Sequence, residues 1–122
     1  MCTAVTYKTK DHYFGRNLDI EYSYNETVTV TPRNYVFNFR KTGKMETHFA
    51  MIGMAYISEG YPLYYDATNE HGLSMAGLRF SEDGVYHSPV KGKINVASFE
   101  LIPFLLGQCK SVEAAKALLE NI

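Results

Sequence analysis

The sequence predicts an α+β fold in which an antiparallel sheet is followed by two C-terminal helices. From Thr3 to Leu78, short runs with alternating or continuous apolar residues are separated by turn-forming residues, which indicates β-strands joined by hairpins. From Val96 onward the apolar residues recur at helical spacing instead. A series of strands followed by helices in one chain is typical of the α+β class.

The composition fits a single domain over residues 1–122. The chain is 46% hydrophobic and 14% aromatic, with ten Tyr, seven Phe and no Trp, which predicts a sizeable core with aromatic packing. A net charge of −1 without a basic run argues against a nucleic-acid partner. No apolar stretch reaches roughly 18 residues and no signal-peptide pattern occurs, so we expect no membrane partner and a cytoplasmic protein.

Cys2 is the first candidate for chemistry, because it directly follows Met1. A residue as small as cysteine at this position usually allows the initiator methionine to be removed. Removal would leave an α-amine, with a pKa near ~8, beside the thiol. A terminal amine can act as the base for its own Ser, Thr or Cys nucleophile. The alternative is that Cys2 is an early residue of the first strand.

A β-hairpin is predicted directly after this cysteine. Residues 3–7 and 12–15 have strand composition around a polar turn at 8–11. The hairpin would bring Arg16 and Asp19 back toward the thiol. A guanidinium beside a thiol favours the thiolate, and a carboxylate can orient the amine. The alternative for these two residues is an ordinary salt bridge at a strand end.

The middle of the sequence predicts further strands. Thr27–Thr31 alternates hydroxyl and aliphatic side chains, and Pro32 ends it because proline donates no ladder hydrogen bond. Tyr35–Phe39 is a second predicted strand, with a tight turn at Thr42–Lys44. Phe49–Ile57 is long and apolar and predicts a buried strand, whose glycine would let another backbone or a ligand approach closely.

A second hairpin is predicted later in the chain. Tyr64–Ala67 and Leu73–Leu78 read as strands on either side of a turn at Asn69–Gly72, whose Asn and Gly are given a structural role and no chemistry. A loop is expected at Ser58–Pro62 and a polar turn at 81–84.

Two helices are predicted at the end of the sequence. Phe99–Leu106 fits a buried helix, with Ser98 as a possible N-cap and Gly107 at its end. Ser111 would then cap a second helix, Val112–Glu120, which has one apolar face.

The cysteines and histidines give no metal-binding pattern. Cys109 is expected to be a small buried residue, and a disulfide with Cys2 is not expected in a cytoplasmic chain. There is no CxxC motif, and the four histidines are scattered without ligand spacing. No metal and no cofactor are therefore predicted.

Several short motifs are spread over nearly the whole sequence. They are Cys2-Thr3-Ala4, Phe14-Gly15-Arg16-Asn17-Leu18-Asp19-Ile20-Glu21-Tyr22, Pro32-Arg33-Asn34, Tyr61-Pro62, Asn69-Glu70-His71-Gly72-Leu73 and Met75-Ala76-Gly77-Leu78. In combination they resemble the choloylglycine hydrolase family, the N-terminal-nucleophile hydrolases that comprise conjugated bile acid hydrolases and penicillin V acylases. The bile acid hydrolase branch is the more similar, mainly from 16–22 and 76–78.

The resemblance implies a larger fold than this sequence supplies. Family members adopt an αββα four-layer sandwich, of which this chain would be the N-terminal part, with the rest of the domain absent. An asparagine and an arginine that the family contributes to its site from later in the chain would also be absent. The resemblance further implies a homo-oligomer, which is a tetramer in the family.

The resemblance also implies an activity. It predicts hydrolysis of the linear amide bond of glycine- or taurine-conjugated bile acids through an acyl-enzyme, with Cys2 as nucleophile, Arg16 stabilising the thiolate and Asp19 positioning the amine. One alternative is the same chemistry on penicillin V or another N-acyl amide, such as an N-acyl homoserine lactone. The other is an inactive, truncated chain with only an interaction role, and we expect a fragment alone to be inactive.

Six further residues are candidates for substrate contact. Apolar surface for a steroid or acyl group is expected from Leu18, Tyr24, Tyr56, Ile57 and Tyr61, which are otherwise core or rim residues. In the family, the residue after Ala-Gly-Leu helps to form the oxyanion hole and is commonly Asn, whereas this chain has Arg79. Arg79 would contact the oxyanion or the anionic group of the leaving amino acid, or be a solvated strand-end residue.

Overall fold

A computed structural model describes residues 2–79 and 84–122 of the chain. Its strands precede its helices, as the sequence predicts, and the α+β class is confirmed. The strands are β1 (Thr3–Lys8), β2 (His12–Asn17), β3 (Thr27–Thr31), β4 (Phe37–Phe39), β5 (Gly43–Met45), β6 (Met51–Ser58), β7 (Tyr61–Tyr64), β8 (Asp66–Asn69) and β9 (Ser74–Ala76). A short 3₁₀ helix (Ser98–Glu100), α1 (Leu101–Leu106) and α2 (Val112–Leu119) follow. The polar turn predicted at 81–84 lies, except for Gly84, outside the described residues.

Strands β1 and β2 form the predicted N-terminal hairpin. They pair antiparallel, from Thr3 opposite Asn17 to Lys8 opposite His12. The pairing extends two residues further along the returning strand than the composition predicts. It forms a two-stranded sheet of its own, separate from the central sheet in its strand pairing.

The central sheet is built around β6. Its strand order is β3-β6-β8-β9, and β7 also pairs with β6. Met51 and Ala55 are buried on one face of β6, whereas Ile52 and Tyr56 on the other face are exposed. The prediction of a strand here is confirmed, but it is buried on one face and not on both. Side chains alternate between the two faces of a strand, and only one face is covered by other described residues.

The helices cover the face of this sheet that carries Met51 and Ala55. Helix α1 packs against β8 and β9, and five of its six residues are buried. The Asn69 side chain ties the sheet to the end of this helix, because its Nδ2 donates to the backbone oxygens of Leu106 (2.8 Å) and Cys109 (2.7 Å). Its Oδ1 accepts the backbone N–H groups of His71 and Leu73, both at 3.1 Å. The structural role predicted for Asn69 is confirmed.

The predicted helix caps are confirmed in two of three cases. Ser111 caps α2 by accepting the N–H of Ala114 at 3.2 Å, and Gly107 lies at the C-terminal end of α1. The prediction of Ser98 as N-cap is wrong, because Ser98 is already the first residue of the 3₁₀ helix. The N-cap is Ala97 instead, and its N–H donates to the buried Glu100 carboxylate at 3.3 Å.

The β4–β5 hairpin differs from its prediction. The N–H of Tyr35 bonds to the backbone oxygen of Pro32 at 3.0 Å, which closes a turn where the strand was predicted to begin. The strand therefore starts at Phe37, and Phe39 pairs with Gly43 across a turn at 40–42. The predicted turn is two residues too late, since Gly43 opens β5.

The loop predicted at Ser58–Pro62 is a tight turn instead. Glu59 and Gly60 both have positive φ, at 50° and 80°. This is the conformation of a two-residue type I′ hairpin, whose twist matches the flanking strands. Tyr61 therefore begins β7, and Pro62 is tolerated because, in the described part of the chain, β7 pairs with one neighbour alone. The strand predicted at Tyr64–Ala67 is divided at Tyr65 between β7 and β8.

Within the described residues, no helix is both long and apolar enough to cross a membrane.

The turn between β8 and β9 carries an ion pair that gives a testable pH dependence. Arg33 Nε donates to both carboxylate oxygens of Glu70, at 2.9 and 3.0 Å, and the N–H of Ala50 donates to Oε1 at 2.9 Å. The hydrogen bond from Arg33, followed by that from Ala50, lowers the pKa of Glu70 from 4.5 to about 2. Because the folded-state pKa is lowered, the pair stabilises the fold above pH 4.5, and this contribution is lost as the pH falls toward 2.

We expect a ¹³C NMR titration of the Glu70 carboxyl group to give a midpoint near pH 2. In the Arg33→Ala variant the midpoint should rise toward 4.5, but not reach it, because the Ala50 N–H remains. An unchanged midpoint in that variant would contradict the assignment of the shift to Arg33.

Candidate active site

Cys2 lies directly before β1, at the open end of the N-terminal hairpin. Its thiol is half-buried, and Sγ donates to the backbone oxygen of Asp19 at 3.9 Å. The hairpin is fixed here by Asn17, whose side-chain Oδ1 accepts the N–H of Thr3 at 2.5 Å. The chain therefore brings Cys2 to the segment that carries Asp19, and the contact is with the Asp19 main chain.

Arg16 points into the protein from β2. Its side chain is only 6% exposed, and every guanidinium nitrogen has a partner. Nη1 donates to the backbone oxygen of Tyr65 at 3.2 Å and to Asp66 Oδ2 at 3.3 Å. Nη2 donates to the oxygen of Gly77 at 3.2 Å, and Nε to that of Asn17 at 3.0 Å. The guanidinium thus bridges the hairpin and the central sheet.

A cavity of about 540 Å³ lies beside this guanidinium. Its size is within the range that small-molecule ligands occupy. The lining includes Arg16, the predicted substrate residue Leu18, and Val28 and Met54 from the exposed face of the central sheet. Its remaining polar side chains are Glu26, Asp66 and Thr68. The cavity therefore has an apolar wall and one cationic side chain, Arg16, which is paired with Asp66.

Tyr24 and Arg79 are both exposed, and the charge of Arg79 acts on the Tyr24 hydroxyl. The rings of Tyr22 and Tyr24 are in contact, with centroids 4.9 Å apart. The pKa of Tyr24 is raised, first by the interaction with Tyr22, while the positive charge of Arg79 acts in the opposite direction. Both Tyr24 and Arg79 are exposed, so this pair forms an accessible aromatic and cationic surface.

The other predicted substrate residues lie elsewhere. Tyr56 and Ile57 are partly exposed along β6. Tyr61 lines a second cavity, of about 520 Å³, together with Arg40, Phe99 and the buried Glu100. Its Oη is buried without a hydrogen-bond partner among the described residues, and burial raises the pKa of its hydroxyl. Of the predicted substrate residues, Leu18 lines the cavity beside Arg16, whereas Tyr61 lines the second cavity.

Sequence reasoning missed two residues of this region, Asp66 and Asn17. A carboxylate in the otherwise apolar run from Tyr64 to Ala67 was an available signal, because a buried charge requires a partner. Its partner, Arg16, lies 50 positions away, and only the paired strands reveal the contact. The sequence carries no such signal for Asn17, because its side chain accepts a hydrogen bond from the main chain of Thr3.

Comparison with known proteins identifies the family. Residues 2–122 match the family model described as linear amide C–N hydrolases, choloylglycine hydrolase family. Over 122 residues the chain is 50% identical to a bile salt hydrolase/transferase of Lactiplantibacillus plantarum, covering 100% of this chain and 38% of that protein. Over 126 residues it is 40% identical to a conjugated bile acid hydrolase of Lactobacillus gasseri, covering 100% and 40% respectively.

The fold agrees with solved structures of the same kind. The crystal structure of the mutant C2A of the conjugated bile acid hydrolase from Clostridium perfringens superposes with a TM-score of 0.90 at 37% identity, covering 99% of this chain and 38% of that one. The chain thus spans 38% to 40% of the length of these relatives. The match over residues 2–122 is nevertheless continuous, and the chain belongs to the choloylglycine hydrolase family of linear amide C–N hydrolases.

Proposed function

We propose that the natural gene product in which this chain occurs hydrolyses the amide bond of glycine- or taurine-conjugated bile acids. The family match over residues 2–122 carries this proposal. The relatives named as bile salt or conjugated bile acid hydrolases, at 38% to 50% identity, support the substrate class. Because the chain spans 38% of the Lactiplantibacillus plantarum protein, the proposal concerns the natural gene product.

In the proposed reaction, removal of Met1 frees the α-amine of Cys2. The thiolate forms a C–S bond to the amide carbon, and the amine takes the thiol proton. That proton passes to the leaving nitrogen as the C–N bond breaks, which releases glycine or taurine. Water then cleaves the thioester, the bile acid leaves, and the thiol regains its proton. No cofactor is required by these steps.

The roles of the polar residues follow from this scheme. Arg16 stabilises the thiolate of Cys2, and Asp19 orients the amine. Arg79 either donates to the oxyanion or contacts the anionic group of the leaving amino acid. Its exposure and its proximity to Tyr24 favour the second role, since an outer position suits the free end of the amino acid.

The apolar part of the substrate would occupy the cavity beside Arg16. Leu18 lines that cavity, and Tyr24 offers an aromatic ring outside it. Tyr56, Ile57 and Tyr61 remain candidates for apolar contact. A homo-oligomer remains the prediction of the resemblance, and a cytoplasmic location remains the prediction of the sequence pattern. Size-exclusion chromatography with light scattering would measure the size of the oligomer.

A panel of amides tests the substrate class. We expect the gene product to hydrolyse glycocholate and taurocholate with a kcat/KM at least roughly tenfold above that for penicillin V or an N-acyl homoserine lactone, since shape discrimination in an apolar pocket has this scale. Release of the free amine, which is glycine, taurine, 6-aminopenicillanic acid or homoserine lactone, is measured by mass spectrometry and gives the rates. Faster hydrolysis of penicillin V would favour the acylase alternative. Hydrolysis of none would favour an interaction role.

A further inference from the structure

Asp66 is a carboxylate that the reaction scheme above does not use, although it contacts a residue of the proposed site. Its Oδ2 lies 3.3 Å from Arg16 Nη1, and the two side chains are 21% and 6% exposed. Its Oδ1 accepts the N–H of Met54 at 3.4 Å. Ion pairs with this little exposure are weakly screened, and removing one partner leaves the other charge uncompensated.

Among the described residues, the other acceptors of the Arg16 hydrogen bonds are neutral. They are backbone oxygens of Asn17, Tyr65 and Gly77, at 3.0 to 3.2 Å. Of the described residues that bond to this guanidinium, Asp66 is therefore the one with a negative charge. All these hydrogen bonds have a charged donor, but the bond to Asp66 is also an ion pair with little exposure, so its attraction adds to the orientation of the fork.

The contact between Asp66 and Arg16 links two separate sheets. Asp66 pairs with Ala76 between β8 and β9, within the central sheet. The hairpin that carries Cys2 forms a separate sheet, and Arg16 reaches across from its second strand. The Arg16–Asp66 pair thus joins the strand pair next to the thiol to the wall of the cavity.

We propose that Asp66 is a positioning residue, which fixes the Arg16 guanidinium and, through it, the placement of the Cys2 hairpin against the cavity. The consequence for catalysis rests on the proposed function. A displacement of about 1 Å in a reacting group can cost on the order of 10²-fold in rate, which sets the expected scale.

The test compares Asp66→Ala and Asp66→Asn with the matched control Glu70→Ala. Glu70 also pairs with an arginine, Arg33, but on an exposed turn. In the gene product we expect Asp66→Ala to lower kcat about 10²-fold with little change in KM. Asp66→Asn keeps one acceptor oxygen but loses the negative charge, and should lower kcat about tenfold, since a bond to a neutral acceptor is weaker than the ion pair. Glu70→Ala should leave kcat unchanged.

A second readout needs no substrate. The rate of Cys2 alkylation by iodoacetamide is measured against pH, with peptide mass spectrometry to separate it from the buried Cys109. Both Asp66 variants should shift this profile to higher pH, because the guanidinium is no longer held in place, and Glu70→Ala should not. A shift to lower pH would mean that the carboxylate charge itself acts on the thiol, which would overturn the positioning role.

The two readouts separate this proposal from the proposed function. If the wild-type protein hydrolyses no amide, the proposed function fails, and the alkylation profile still decides the role of Asp66. If Asp66→Ala does not fold, as judged by thermal unfolding, Asp66→Asn decides it. Asp66 variants that match Glu70→Ala in both kcat and alkylation profile would overturn the proposal.

Discussion

The Cys2→Ala variant of the gene product is expected to lose amide hydrolysis while keeping its fold. Removal of a catalytic nucleophile costs on the order of 10⁶-fold in kcat when the other groups cannot replace it. Alanine retains the α-amine but has no sulfur to form the thioester. The half-buried position of Cys2 before β1 makes a large loss of stability unexpected. Turnover of glycocholate and thermal unfolding measure the two effects.

Cys109→Ala is the matched control for this variant. Cys109 is 4% exposed and packs in the core, and burial raises the pKa of its thiol. A buried thiol of this kind is a poor nucleophile, so its removal should affect stability and leave kcat unchanged. Intact mass of the wild-type protein should show the loss of Met1. Undiminished turnover in Cys2→Ala, or retention of Met1 on active protein, would contradict the mechanism.

Local patterns predicted the parts of the fold that depend on neighbouring residues. The N-terminal hairpin, the Thr27–Thr31 strand, the Asn69–Gly72 turn and the Ser111 cap are all specified by side chains within a few positions. The turn at Glu59 was missed because its positive φ is unusual for Glu.

The candidate site was predictable only in part, because it depends on contacts between distant strands. The hairpin made the approach of Arg16 to the N-terminus foreseeable. Its partner Asp66, 50 positions away, depends on the order of strands in the central sheet. The location of Tyr61 depends on strand alternation as well. A one-residue change of register would move its ring to the opposite face.

The missing side chain of Gly53 lets the backbone of β8 pack closely against β6. That backbone includes Asp66, which contacts the candidate site. The sequence predicts that the glycine of this strand allows a close approach of another backbone, and this is confirmed. A Cβ at position 53 would lie 1.9 Å from the backbone oxygen of Asp66 and 2.6 Å from the Cα of Ala67. These are backbone atoms of β8, so a substituted side chain cannot be accommodated by a rotamer change.

We therefore expect Gly53→Ala to displace β8 and to lower the free energy of unfolding by roughly 3 kcal/mol, the upper part of the usual cost of overpacking. Because Asp66 moves with β8, amide hydrolysis should fall as well, on the order of 10²-fold. Gly15→Ala is the matched control, since its Cβ would meet only Val5 Cγ1, at 3.9 Å. That variant should change stability by less than about 0.5 kcal/mol. Chemical denaturation gives both values, and equal stability of the two variants would contradict the close approach of β8 to Gly53.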